Sequence, residues 1–163
     1  RYVAERAATV AEGVELVRKG PRACGTCMLI ASGNPPDAAL VEFDHDKFAV
    51  RRPKDGFVGA ANSYFELYME GFEGGDLYSG RIGTARDLAV KERGKLDFSC
   101  NIAGAKGVPI EGMNLHSAMI DATNLRLKIA MGGIPACKRA YRAFRLTKTG
   151  LVADPAANEG GER

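Results

Sequence analysis

Asn114–Leu146, NLHSAMIDATNLRLKIAMGGIPACKRAYRAFRL, holds three strand-like runs in succession with short turns between them. Ser117–Asp121 is a short, mostly apolar run suited to a strand covered on both faces, and Ala122-Thr123-Asn124 supplies turn chemistry after it. Leu125–Met131 then alternates, with Leu125, Leu127, Ile129 and Met131 on one side and Arg126 and Lys128 on the other. Period-two alternation of this kind predicts a buried apolar face and a wet charged face. Gly132-Gly133 and Pro135 interrupt the ladder, and Tyr141–Leu146 provides the third run before periodicity fails at Thr149. The region therefore reads as a sheet core.

Working outward, Thr9-Val10-Ala11-Glu12 has the form of a capping box, in which the threonine hydroxyl takes a first-turn amide and the glutamate reaches back. The helix it opens carries Val10, Val14 and Val17 on one face and ends at Gly20-Pro21. Arg1–Ala8 adds a preceding turn of helix. Thr26–Ala31, Ala39–Phe43 and Phe48–Arg52, separated by the polar turns Ser32–Asp37 and Asp44-His45-Asp46, form three strands at antiparallel meander spacing. Phe57–Phe65 reads as a further strand with Asn62 near its end. Glu66–Tyr78 is a glycine-rich acidic loop. Ser79 is placed to cap a helix running to about Gly94, with Arg81 in a first turn where a cation opposes the helix dipole and so invites a separate partner. Asp97–Gly112 has little pattern, and residues 151–163 have the composition of a disordered tail.

The 163 residues have the size of one domain, and 45% hydrophobic with 26% charged residues is ordinary for a globular chain that buries a core. A formal charge of +3 is too mild to point to nucleic acid, and no apolar run is long enough to cross a bilayer, so neither nucleic acid nor membrane is expected as a partner. The chain opens on Arg1 and not Met, so it is expected to be processed or to be a piece of a longer protein. Cys24, Cys27, Cys100 and Cys137 lack metal-site spacing, and the Cys24-Gly-Thr-Cys27 pair leads into an apolar strand where a redox pair would open a helix. Buried structural thiols are the simpler reading, with a thiol-redox role as the competitor. His45 between two aspartates is better explained by turn formation than by metal ligation, and no metal or cofactor is called for. Asn62 has its own significance, since a carboxamide at a strand end can donate to a developing oxyanion or merely cap its own loop.

The succession ATVAEGVELV, ACGTCMLIAS, ALVEF, GFVGAANSYF, SGRIGTARDLA and NLHSAMIDATNLRLKIAMGGIPA resembles the later part of the penicillin acyltransferase family. These are self-processing N-terminal nucleophile hydrolases related to the bile-salt and penicillin V hydrolases. The resemblance covers residues 1–146, and NLHS followed by a hairpin and Gly-x-Pro-Ala is its most specific part. It implies an α+β, four-layer αββα sandwich of antiparallel sheets, incomplete in this chain, and an amide-bond hydrolase or acyltransferase. The implied nucleophile is a cysteine at the start of the mature catalytic chain, whose own amine serves as base. None of the four cysteines stands at that position, so the nucleophile is expected upstream of Arg1, and Asn62 and Arg81 correspond to supporting catalytic positions. Ser63 and Tyr64 fall at the adjoining substrate-binding positions, although relatives often carry histidine where this chain has Ser63. The implied partners are the N-terminal portion of the same protein or a second copy, and the implied substrate is a small acylated amine or peptide-like amide. A non-catalytic binding or scaffold domain of the same fold is the alternative. With its covering strands elsewhere, the chain is expected to expose an apolar sheet face or an unpaired edge.

Overall fold

The computed structural model describes residues 1–61, 64–67, 80–96, 100–109 and 112–154. It is α+β, with two antiparallel sheets and helices, and it divides into two compact units, Arg1–Arg86 and Asp87–Arg163. Length alone suggests one unit, but each sheet is a meander of consecutive strands that pairs within its own half of the chain.

In the first unit, α1 (Tyr2–Arg6) precedes α2 (Val10–Lys19), and β1 (Thr26–Gly33), β2 (Pro36–Phe43) and β3 (Phe48–Arg51) pair in that order. The α2 boundary is chemical. Thr9 Oγ1 accepts from the Glu12 amide at 3.1 Å, and Glu12 Oε2 accepts from the Ala8 amide at 2.7 Å, one residue before the expected cap amide. At the other end the Gly20 amide donates to Leu16 O. Between these ends Val10, Val14 and Val17 pack on Ala39, Val41 and Phe43 of β2, with Met28, Ile30 and Val50 around them. Each buried valine contributes roughly 2 kcal/mol. Helix and sheet approach closely at Gly13, where an added Cβ would lie 3.1 Å from the Ile30 side chain and would have to displace it by a few tenths of an ångström. Arg22 fastens the β2–β3 turn by donating to Asp44 O at 2.8 Å and His45 O at 3.1 Å.

The run after β3 departs from expectation. Lys54 and Phe57 form one isolated bridge around a tight turn in which Asp55 and Gly56 have positive φ, and residues 58–61 are irregular. The Gly59 carbonyl is taken by Arg51 Nη2 at 2.7 Å, so an arginine side chain occupies an acceptor that a strand would offer to a neighbour. The expected helix follows as α3 (Gly80–Lys91), while its proposed cap, Ser79, lies outside the described residues.

In the second unit, β4 (His116–Asp121), β5 (Arg126–Met131), β6 (Arg142–Thr147) and β7 (Gly150–Ala153) form the four-stranded sheet. The strand β7 begins where a disordered tail was expected, because residues 147–150 turn tightly and return residues 150–153 along β6. Residues 155–163 lie outside the described residues.

Burial in this sheet is the reverse of the alternation's prediction. Lys128 is 7% exposed and Ala130 is buried, whereas Ile120 is 74% and Met131 62% exposed, and Leu146 and Leu151 on the same face are exposed too. The β4 strand is accordingly covered on one face and open on the other. The cause is the connection between β5 and β6. Its 3-10 turn, Ala136–Lys138, folds against the face bearing Ser117 and Ala130 and is tied there by the Ala136 and Cys137 amides, which donate to the backbone oxygen and the side-chain Oδ1 of Asn114. Asp154 closes the same unit by accepting from Arg126 at 3.2 Å and Arg145 at 3.5 Å.

The α2 cap gives a direct test of local stability. Thr9→Ala is expected to cost about 1 kcal/mol, measured by denaturant unfolding, and Glu12→Ala to cost less because Thr9 retains its acceptor role.

Candidate functional site

The first unit contains a buried carboxylate on the sheet face opposite α2. Glu42 of β2 is fully buried, and Oε1 accepts from Nε of Arg51, placed diagonally to it on the adjacent β3, at 2.7 Å. Oε2 accepts three successive backbone amides, Phe65 at 3.0 Å, Glu66 at 2.8 Å and Leu67 at 3.3 Å. Arg51 is 8% exposed and lies over the Phe65 ring with its guanidinium carbon 4.8 Å from the ring centre. All these partners of Glu42 are donors, as an acceptor-only carboxylate requires. The arrangement pins the backbone immediately after residues 62–63 to the centre of the sheet.

Tyr64 adds a second fixing point. Its hydroxyl donates to Phe43 O at 2.6 Å, and the side chain is buried. Its approach requires Gly25, since a Cβ there would fall 2.4 Å from the tyrosine oxygen. Burial, and then the neighbouring Cys27, push the Tyr64 hydroxyl above its ordinary pKa. Burial likewise pushes the Cys27 thiol up, reinforced by Glu42 opposite it on β2 and opposed by Arg51. A thiol kept neutral in this way is a poor nucleophile. Cys24 is exposed, and all four cysteines are free thiols.

Asn62 and Ser63 lie outside the described residues. Arg81 is half-buried in the first turn of α3 and takes part in an interaction within the protein. Tyr64 is described, and its buried hydroxyl is engaged with Phe43 O. Sequence reasoning missed Glu42 and Arg51 altogether. A signal existed, because Glu42 interrupts the apolar run Ala39–Phe43 and Arg51, paired with Leu40, lies diagonally across from it on the next strand, but an alternating charge on a strand ordinarily reads as solvent-facing.

Next to this clamp a cleft of about 280 Å³ opens between the end of β3, the turn at Lys54–Phe57, Gly59, Glu66 and Arg86. His45 Nδ1 meets Asp46 Oδ1 at 2.7 Å on the surface, and no group of three or more metal-ligating side chains occurs among the described residues. No protein-family profile, no curated protein and no solved structure matches the chain.

Two measurements probe the clamp. Glu42→Gln removes the charge facing buried Arg51 and is expected to destabilise by on the order of 3 kcal/mol, seen as a lower denaturation midpoint; an unchanged midpoint would mean that Arg51 finds other compensation. For Cys27 the native pKa is raised, so this thiol stabilises the fold below the ordinary thiol pKa and loses that contribution as pH rises through the raised value. Iodoacetamide at mildly alkaline pH is therefore expected to modify Cys24 faster than Cys27, with peptide mapping as the readout.

Proposed function

We propose that this chain is part of an amide-bond hydrolase or acyltransferase of the N-terminal nucleophile type, whose cysteine nucleophile lies outside it. The observation that carries the reading is the Glu42 clamp. An oxyanion donor works only when it is held before charge develops. Here the residues directly following Asn62-Ser63 are fixed by three hydrogen bonds from their backbone amides to one buried carboxylate and by the Tyr64 hydroxyl. The exposed apolar face of the β4–β7 sheet is a second support, since a four-layer sandwich buries such a face against another layer.

In the proposed reaction the thiol of the N-terminal cysteine attacks the amide carbonyl while its α-amine takes the proton. The Asn62 carboxamide donates to the oxyanion of the tetrahedral intermediate, and Arg81 supports the adjoining wall. Collapse expels the amine, and water or an acceptor amine releases the acyl group. Within this reading Ser63 borders the substrate, Tyr64 sets the height of that segment, and the substrate is a small acylated amine or peptide-like amide. A scaffold domain of the same fold would use the same clamp only for stability, and the raised pKa of Cys27 favours either reading over a thiol-redox protein.

Asn62→Ala in the protein that carries the nucleophile separates the two. Loss of an oxyanion donor is expected to lower kcat on the order of a hundred-fold with the melting temperature nearly unchanged. A retained kcat with a lowered melting temperature would make Asn62 structural and favour the scaffold.

A further inference from the structure

We infer that the cleft at the end of β3 binds a small carboxylate-bearing molecule with an apolar body. The inference is independent of the hydrolase reading, because it concerns anion binding at Arg51 and the end of β3 and needs no nucleophile or oxyanion donor.

The cleft is lined by the cationic residues Arg51, Arg52, Lys54 and Arg86, the acidic Asp55 and Glu66, and the apolar Val50, Phe57 and Val58. Arg51 is the built element. Nε is committed to Glu42 and Nη2 to Gly59 O, which fixes the plane of the guanidinium. Nη1 has no hydrogen-bond partner among the described residues, yet it is not a sealed orphan, because no fully buried side-chain nitrogen or oxygen among them is left unsatisfied. It therefore keeps access to solvent, and Arg51 borders solvent-filled space in this cleft. A more than nine-tenths buried guanidinium, locked on two sides and open on a third, presents N–H donors at little cost in conformational entropy.

Glu42 does not cancel this donor. One of its oxygens faces Arg51 and the other is satisfied by three amide dipoles, so its charge is already solvated by protein. Exposed Lys54 then adds positive charge at the rim, whereas Arg52 is already paired with Asp37 at 3.1 Å. The two acidic wall residues set an upper limit on ligand charge, disfavouring a phosphate dianion relative to a monoanionic carboxylate. A volume of about 280 Å³ lies at the lower end for small-molecule sites, and valine and phenylalanine walls suit a ring or short alkyl chain behind the carboxylate.

The test is titration of the intact chain with benzoate, with benzamide as its neutral analogue and with inorganic phosphate, followed by the backbone amide resonances of Val58 and Gly59. Benzoate is expected to give saturable shifts at these amides and to bind about ten-fold or more tightly than benzamide, as a charge-assisted pair to arginine demands. Lys54→Glu should weaken benzoate by about three-fold, the scale of one exposed charge. Val58→Phe, which fills the cleft and leaves every charge in place, should abolish the shifts; if that variant does not fold, Lys54→Glu carries the test alone. Equal affinity for benzoate and benzamide, phosphate binding as tightly as benzoate, or a benzoate titration unaffected by Lys54→Glu would each overturn the inference.

Discussion

The first unit depends on a carboxylate placed where carboxylates are costly. Desolvating Glu42 is unfavourable by several kcal/mol unless its acceptor positions are filled by donors in good geometry. Four donors fill them, one guanidinium nitrogen and three consecutive amides. The amides come from a segment outside the sheet, so the requirement of a residue in β2 dictates the path of the chain more than twenty residues later. The same requirement fixes Arg51, and through Arg51 the Gly59 carbonyl and the irregular course of residues 58–61. A hydrophobic residue at position 42 would pack more cheaply, but it would leave the 65–67 backbone with no anchor. The polar core here is better understood as specifying a conformation than as adding net stability.

Local chemistry was legible in the sequence wherever cause and effect lie within a few residues. Thr9 and Glu12 announce the start of α2, Gly20 its end, and the spacing of polar turns between Thr26 and Arg52 announces three antiparallel strands. Legibility failed where a distant segment decides the outcome. Alternation in β5 correctly separates Leu127, Ile129 and Met131 from Arg126 and Lys128, but it cannot say which face the following connection will cover. It covers the face of Lys128. The Gly150–Ala153 strand was hidden for a related reason, since four residues with one polar flank have no periodicity of their own and owe their form to pairing with β6. Most of the Glu42 clamp was hidden because three of its four donors are backbone amides, which leave no trace in residue identity, and the fourth, Arg51, reads on a strand as a solvent-facing charge.

The second unit repeats the pattern of polar groups fastening connections. Asn101 takes Cys137 O through Nδ2 at 2.7 Å and the Gly104 amide through Oδ1 at 3.0 Å, while the Tyr141 hydroxyl donates to Ser117 Oγ at 2.7 Å. Asn114 receives the Cys137 amide at 2.7 Å. Cys137, fully buried at the middle of these bonds, is enclosed by backbone geometry. Its thiol is a filler in a hydrogen-bonded corner.

Both sheets are meanders in which each strand pairs with its sequence neighbour. Ladders of that kind close short loops first, so either sheet can zip up quickly and without waiting for remote chain. For the β4–β7 sheet, speed has an adverse side. Its polar face is sheathed by its own Gly132–Tyr141 connection as soon as the strands meet, whereas Ile120, Met131, Leu146 and Leu151 stay in water. A sheet that zips early and leaves such a strip in water is prone to self-association from the moment it forms, so quick local folding offers it no protection against aggregation.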